Sequence, residues 1–317
     1  MIFLKEPWFD MYLRARESIV LNYNPFIAFK PDPNPRQMNQ AVRATNMLIS
    51  SIRFMKSLRA NNLKPEIFHL NPEKSDTVFF QKLMSWIPES ISFYGAYMFN
   101  AFPLDMSQYF RLFNSTRIPN KDKDILVTDE TKKHILILYK GNFFTFDVLD
   151  KNNNILPPSE IYACILHILN SNSKTADQSI GVLTSENRDI WANIRTRLAS
   201  LGNNETLNAI DTALYCIALD DFESNDPCIL GSNFLYGEAK NRWFDKNHTL
   251  IVTKNGQTAI NFEHSWGDGV AILRFFNELF EDSTKNANIT ESTKPSFDKG
   301  EIDIYVKKLG RFLIFYF

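Results

Sequence analysis

Helical spacing of apolar residues marks two segments of the chain. Between residues 36 and 62, apolar side chains recur at three- and four-residue intervals from Ala41 to Leu58, which predicts one long amphipathic helix. The same spacing returns from Val270 to Phe280. Residues 28–35, which precede the first helix, carry proline at alternate positions and are therefore predicted to form an extended loop.

Short apolar runs bounded by turn residues predict two β-hairpins. The first joins residues 135–139 to residues 143–149 through a turn at 140–142. The second joins 249–253 to 258–263, with Asn255-Gly256 as the turn signal. Helical segments lie between the two hairpins. Because strands and helices interleave irregularly, the sequence predicts an α/β or mixed α+β fold.

Residues 77–102 are rich in aromatic side chains and nearly uncharged. Pro88 and Glu89 interrupt the stretch, so it cannot form one membrane-spanning helix, and two short helices or a helical hairpin fit it better. Two interpretations stay open for the aromatic residues. They form part of the core, as dense aromatic residues usually do, or they form an insert that docks on a membrane surface.

The composition is that of a folded protein with a large core. The 317 residues are 44% hydrophobic and 14% aromatic, which is too much apolar surface for a disordered chain. Lys and Arg number 35 against 36 Asp and Glu, so the net charge is −1. This balance gives no positive face for nucleic acid, and it is unlike that of a polybasic membrane binder.

Cysteine and histidine usage argues against disulfides and metal sites. Cys164, Cys216 and Cys228 are too few for a disulfide framework or a zinc site, and their apolar neighbours predict thiols that are reduced and mostly buried, in a reducing compartment. The five histidines form no His-x-x-His or His-x-x-x-His pair, so no bound metal is expected. The sequence also contains no Gly-rich phosphate-binding motif and no G-x-S-x-G motif.

One motif offers residues for catalysis. Residues 262–269 read FEHSWGDG and place His264 between a predicted strand and a predicted helix, where a side chain can project into a cleft. A histidine there can act as a general base, and Asp268 follows between two glycines that allow a tight turn. The same two side chains can instead satisfy buried hydrogen bonds, so the spacing alone leaves both interpretations open.

Together with its surroundings, this motif resembles the carnitine and choline acyltransferase family, and within it the mitochondrial carnitine palmitoyltransferases. The resemblance covers residues 7–282 and fades after Ser283. The segments that carry it are long and specific: WFDMYL at 8–13, FHLNP at 68–72, PLDMSQYFRLFNSTR at 103–117, LTSENRDIWA at 183–192, NRWFDK at 241–246, and residues 262–278.

The resemblance implies an enzyme with a CoA-dependent acyltransferase fold, of which this chain forms one half, similar to chloramphenicol acetyltransferase, with a mixed sheet flanked by helices. The implied activity is that of a carnitine O-palmitoyltransferase, which transfers a long-chain fatty acyl group reversibly between coenzyme A and the carnitine hydroxyl. Coenzyme A is then a co-substrate, and no bound cofactor is expected. The implied location is the matrix side of the mitochondrial inner membrane, although the chain shows no transit peptide.

Specific residues acquire expected roles from the resemblance. His264 matches the general base, which takes a proton from the carnitine hydroxyl or, in reverse, from the CoA thiol, without an acyl-enzyme. Asp268 matches the family's acidic position, where it would support the local backbone or orient His264 through an arginine. Tyr12 matches a tyrosine near the carnitine carboxylate. Residues 71–100 match a membrane-docking insert.

Family members have two related halves, and the chain resembles the half that bears the histidine, in residues 1–282. Residues 283–317 are expected to be a polar linker and an apolar tail that is truncated or not native to the family. The Ser-Thr-Ser segment that helps the oxyanion in the second half is missing, so little or no transfer is expected from this chain alone. The alternatives are an inactive fragment or membrane-peripheral binding protein, and an acyltransferase for choline or shorter acyl chains.

Overall fold

The computed structural model describes residues 5–298 and 300–309. Its α-helices are α1 (Lys5–Leu13), α2 (Gln40–Arg59), α3 (Pro72–Ser75), α4 (Val78–Trp86), α5 (Glu89–Met98), α6 (Pro158–Asn170), α7 (Arg188–Leu198), α8 (Asn204–Thr212), α9 (Pro227–Leu235), α10 (Gly269–Lys285) and α11 (Ile302–Tyr305). Its strands are β1 (Phe26–Ala28), β2 (Ile67–His69), β3 (Ala101–Pro103), β4 (Ser115–Ile118), β5 (Ile125–Thr128), β6 (His134–Tyr139), β7 (Asn142–Asp147), β8 (Cys216–Leu219), β9 (His248–Val252), β10 (Thr258–Phe262) and β11 (Lys307–Lys308).

Seven strands form a mixed sheet in the order β1-β10-β9-β8-β6-β7-β11. The two central pairs, β9 with β8 and β8 with β6, are parallel, and the other neighbours are antiparallel. Both predicted hairpins are present as β6–β7 and β9–β10. The predicted mixed α/β fold with a sheet flanked by helices is therefore confirmed.

The sheet is covered on both faces, which explains the continuous apolar runs of its central strands. Ile135 and Ile137 of β6 pack in the layer that contains α2, α6 and α10. Leu136 and Leu138, which alternate with them, pack in the opposite layer with Trp191 of α7 and with α8. Successive side chains of a strand point to opposite faces, so residues 135–138 of β6 alternate between the two apolar layers.

The aromatic segment forms two short helices, α4 and α5, as its interruption at Pro88 predicts. The hairpin projects from the two-stranded β2–β3 sheet and has a small core of its own, which includes Phe80, Ala96 and Ala101. Most of its other aromatic side chains are exposed. The segment thus contains some aromatic residues that pack in a core and others that are exposed to solvent.

Two expectations from composition need correction. The segment after Ser283, expected to be a linker, packs on the core: Ile289 and Val306 are buried, and β11 pairs with β7. The average composition of the segment does not predict these contacts, because a few buried apolar residues are enough to attach a mainly polar segment to the core. The predicted apolar tail at residues 310–317 lies outside the described residues. Cys164 and Cys216 are buried as predicted, whereas Cys228, in the first turn of α9, is exposed.

Gly256 allows the turn that joins β9 to β10, the strand that leads to His264. Its φ is +77°, and a Cβ atom there would lie 2.0 Å from the carbonyl oxygen of Met38. Gly202 has a similar φ of +90°, but a Cβ atom at that position would have no neighbouring atom within 4 Å, so it offers a matched control.

We expect Gly202→Ala to lower the free energy of unfolding by about 1 kcal/mol, from backbone strain alone. Gly256→Ala carries the same strain and also forces two backbone segments apart, so we expect a loss of about 3 kcal/mol or more. Urea denaturation of both variants measures the difference. Equal losses would contradict the close approach of Met38 to the turn.

Candidate functional site

His264 lies in the loop between the end of β10 and the start of α10, as the sequence predicts. Its ring stacks on Tyr12 of α1, with 5.2 Å between ring centroids and 11° between ring planes. Trp8, one turn earlier in α1, lies 5.6 Å from the same ring, and its indole N–H donates to the carbonyl oxygen of Ser265 at 3.0 Å. The structure therefore brings together two predicted site residues, Tyr12 and His264, from distant parts of the chain.

The ring of His264 is half-buried, and its Nδ1 atom is buried without a hydrogen-bond partner in the part of the chain that the structure describes. A histidine in a catalytic site is commonly oriented by a hydrogen bond at one ring nitrogen. Here the ring has aromatic contacts with Trp8, Tyr12 and Phe262 within the described structure.

Asp268 is the N-cap of α10. Its Oδ1 atom accepts from the backbone N–H groups of Val270 at 3.0 Å and Ala271 at 3.1 Å. Gln108 binds it twice: the Gln108 side-chain amide donates to Oδ1 at 3.2 Å, and its carbonyl oxygen accepts from the Asp268 backbone N–H at 2.9 Å. These contacts of Asp268 fit the support of the local backbone, one of the two roles expected for it.

A buried guanidinium connects Tyr12 to the histidine loop. Arg117, on β4, donates to the carbonyl oxygen of Tyr12 at 2.8 Å, to Glu263 at 3.0 Å and to Asp124 at 2.7 Å. Glu263 in turn accepts from the backbone N–H of Ser265 at 3.1 Å and from its hydroxyl at 2.5 Å. The Glu263 carboxylate thereby links the residue before His264 to the residue after it.

Asp124 is the centre of this ionic network. Besides Arg117, it accepts from Arg188 at 2.7 Å and Arg16 at 2.8 Å. Arg188 also donates to Asp245 at 2.6 Å, and the Asp245 carboxylate accepts from the indole N–H of Trp191 at 2.7 Å. Sequence reasoning did not find these residues, although several lie in the motif segments 103–117, 183–192 and 241–246.

The surroundings of Asp124 and Tyr12 shift the pKa values of both side chains. Burial raises the pKa of Asp124, but the positive charges of Arg188 and Arg117 outweigh burial, so the carboxyl titrates below its usual range. Burial, helped by the charge of Glu263, raises the pKa of Tyr12 above its ordinary value. The Tyr12 phenol therefore remains a hydrogen-bond donor at neutral pH.

A cavity of about 380 Å³ lies on the Asp268 side of the loop. Its wall combines apolar side chains, such as those of Trp8, Phe9 and Trp266, with the carboxylates of Glu66, Asp105 and Asp268 and the guanidinium of Arg111. Within the described residues, no three His, Cys, Asp or Glu side chains are grouped so as to hold a metal ion. None of the helices in that part of the chain combines the length and apolarity needed to cross a bilayer.

Comparisons with known proteins give one family. The family model for choline/carnitine O-acyltransferases matches residues 2–307, past Ser283, where the resemblance was expected to fade. The human protein named carnitine O-palmitoyltransferase 2, mitochondrial, is 55% identical over 294 residues, which cover 93% of this chain and 45% of the human protein. The Xenopus tropicalis protein of the same name is 56% identical over 288 residues, which cover 91% of this chain and 44% of that protein. The chain thus spans less than half the length of these relatives.

A solved chloramphenicol acetyltransferase aligns with a TM-score of 0.35 and 10% identity, covering 89% of this chain and 95% of that one. A score this low supports no argument about function.

We expect Asp124→Asn to lower the free energy of unfolding by about 3–5 kcal/mol at neutral pH, because Arg117 and Arg188 lose the buried carboxylate that they share. The depressed pKa of Asp124 means that its stabilisation is present above the unfolded-state pKa, near 4, and is lost as the pH falls through the lower folded-state pKa. The variant should therefore lose less stability on acidification below about pH 4 than the unaltered chain does.

Urea denaturation across the acid range measures both effects. Asp221→Asn is the control, since Asp221 is exposed and its ion pair with Lys140 has a separation of 3.6 Å. This substitution should change stability by about 0.5 kcal/mol or less. A loss at Asp124 no larger than at Asp221 would contradict the buried network.

Proposed function

The chain belongs to the choline/carnitine O-acyltransferase family, and on this premise we propose that it provides the histidine-bearing half of a carnitine O-palmitoyltransferase. The observation that supports this most directly is the stacked pair of His264 and Tyr12, in a loop at the end of a central hairpin. The substrates are carnitine and a long-chain acyl-CoA. Coenzyme A is a co-substrate, and the reaction requires no bound cofactor.

His264 acts as the general base of the proposed reaction. It takes the proton of the carnitine hydroxyl while the hydroxyl oxygen attacks the thioester carbonyl carbon. The tetrahedral oxyanion then collapses, the carbon–sulfur bond breaks, and the departing CoA thiolate takes the proton from the imidazolium. The reverse reaction begins with the CoA thiol as the proton donor. One base serves both directions because each nucleophile loses one proton, and no acyl-enzyme is needed.

Tyr12 and Asp268 support this chemistry in different ways. The phenol of Tyr12 is protonated at neutral pH, so it can donate a hydrogen bond to the carnitine carboxylate. Asp268 holds the first turn of α10 through the N–H groups of Val270 and Ala271 and so fixes the end of the His264 loop. Its contribution to the reaction is therefore positional.

Residues 71–100 form the membrane-docking insert of the proposed enzyme. Trp86 is 84% exposed, Tyr94 70% and Phe79 68%, whereas Phe80 anchors the hairpin in its own small core. Exposed aromatic side chains on a rigid hairpin suit the headgroup region of a bilayer. The names of the relatives say mitochondrial, and we place the proposed contact on the matrix side of the inner membrane.

A second candidate is a membrane-peripheral binding protein without catalytic activity. The exposed aromatic hairpin favours it, because vesicle binding by these side chains requires no transfer reaction. The chain also spans less than half the length of the human and frog relatives. Transfer that depends on His264 is compatible only with the first candidate, and both candidates are expected to bind vesicles.

We expect any palmitoyl transfer by this chain to depend on His264. His264→Ala should lower kcat by a factor of about 10² to 10⁴, because the nucleophile loses its general base. The measurement is carnitine-dependent release of the CoA thiol from palmitoyl-CoA. Retention of full kcat in His264→Ala would exclude His264 as the base.

Tyr12→Phe is the matched variant, since it keeps the ring that stacks on His264 and removes only the hydroxyl. It should raise KM for carnitine about tenfold with a smaller change in kcat, as expected for a lost hydrogen bond to a charged group. Transfer by this chain would exclude the second candidate function. A folded chain that binds vesicles but transfers no acyl group fits both candidates, because little transfer is expected from one half alone.

We expect the triple variant Phe79→Ser, Trp86→Ser and Tyr94→Ser to bind vesicles at least about tenfold more weakly, because each substitution removes a large apolar side chain from the contact. Flotation with phosphatidylcholine–cardiolipin vesicles measures the bound fraction. The control variant replaces Val182, Ile190 and Ile229, which are exposed apolar residues elsewhere on the molecule, by serine. Equal binding by both triple variants would contradict docking through residues 71–100.

A further inference from the structure

We propose that Arg117 is a positioning residue for the transfer reaction, because its single guanidinium group fixes the stacking of Tyr12 on His264. The proposal rests on the proposed function in one respect, namely that His264 acts on substrate. The geometric part of the proposal is that the hydrogen bonds of Arg117 set the position of the Tyr12 ring relative to the His264 ring. It is tested without measuring transfer.

The guanidinium of Arg117 is fully buried and binds in three directions. Nη2 donates to the carbonyl oxygen of Tyr12, Nη1 to the Glu263 carboxylate and Nε to the Asp124 carboxylate, at 2.7–3.0 Å. The planar fork of arginine presents several donors in fixed relative directions, which the single ammonium of lysine cannot do. The positions of the three acceptors are therefore coupled through one rigid group.

The contact with Tyr12 holds the last turn of α1. The final carbonyl groups of a helix lack partners within the helix and lie at the negative end of its dipole, where a cation is favourable. Tyr12 is the second-last residue of α1, and Arg117 supplies that cation at its carbonyl oxygen. Fixing this carbonyl fixes the backbone from which the Tyr12 ring projects toward His264.

The contact with Glu263 holds the loop on both sides of His264. One oxygen of Glu263 accepts from Arg117, and the other accepts from the backbone N–H and the hydroxyl of Ser265. The carboxylate of Glu263, the residue before His264, is therefore bonded to Ser265, the residue after it. Arg117 keeps this buried carboxylate paired and in place.

The histidine ring needs such support from its backbone. Its Nδ1 atom has no hydrogen-bond partner within the described part of the chain, so no such bond to that atom sets the ring orientation. The angle of 11° between the His264 and Tyr12 rings is set by two backbone segments and their packing. Arg117 contacts one segment directly and the other through Glu263, so the ring geometry depends on it.

Arg188 distinguishes this role from a general contribution to stability. It is buried in the same network and shares Asp124 with Arg117, but its second carboxylate is Asp245, whereas Arg117 binds Glu263 and the carbonyl oxygen of Tyr12. Arg117→Lys and Arg188→Lys each keep a positive charge and lose the planar guanidinium group with its several donors. Both should reduce stability, and only Arg117→Lys should change the environment of the His264 ring.

The test uses NMR spectra of the full chain with labelled histidine, whose five side chains give few signals. The His264 signal is assigned by its loss in His264→Gln. The stacked Tyr12 ring shifts the imidazole protons upfield, and Tyr12→Leu gives the position without that ring. We expect Arg117→Lys to lose most of this upfield displacement and Arg188→Lys to retain it.

In the transfer assay, Arg117→Lys should lower kcat by about 10²-fold, the effect of moving the catalytic ring by about 1 Å.

An unchanged His264 signal in Arg117→Lys, or equal changes in the two lysine variants, would overturn the proposal. If Arg117→Lys does not fold, Ser265→Ala decides, because it removes one of the hydrogen bonds through which Glu263 holds the loop. Ser265→Ala should then shift the His264 signal part of the way toward its position in Tyr12→Leu, and no shift would overturn the proposal. Full transfer by His264→Ala would instead overturn the proposed function and leave the spectral result as a finding about geometry.

Discussion

A single buried carboxylate, Asp124, holds together the parts of the molecule that meet at His264. Arg16, Arg117 and Arg188 come from three separate segments and converge on it. Charges buried away from water are tolerated only when they are paired and hydrogen-bonded. Arg117 also pairs with Glu263, Arg188 with Asp245 and Arg16 with the partly exposed Asp189, so each of the three guanidinium groups has a second carboxylate partner. The short loop around His264 is held by the contacts of Glu263 with Arg117 and Ser265 rather than by regular secondary structure.

Local patterns predicted the fold well because its central elements are encoded locally. The β6–β7 and β9–β10 hairpins follow from short apolar runs and turn residues, and the interruption at Pro88 separates α4 from α5. Residues 283–309 were misjudged because average composition does not reveal two buried anchors, Ile289 and Val306. In the aromatic segment, composition left core and surface roles open, and the structure contains both kinds of residue.

The candidate site was only partly predictable. The resemblance located Tyr12, His264 and Asp268, but no local pattern indicates that α1 packs on the histidine loop, since Trp8 and Ser265 are 257 positions apart. The arginines and carboxylates of the network were also missed. Charged residues in a sequence are usually at the surface, and only the folded structure shows that Arg117 and Asp124 have partners that justify their burial.

The pairing of β1 with β10, together with the packing of α1 on the histidine loop, has a consequence for synthesis on the ribosome. Chains emerge from their N-terminal end, and contacts between distant segments form slowly because a long loop must close first. The segments bearing Trp8, Tyr12 and Arg117 emerge well before the histidine loop does. During that interval the aromatic side chains of α1 and the guanidinium of Arg117 lack the partners that the histidine loop gives them in the folded chain, so the site can close only after that loop has emerged.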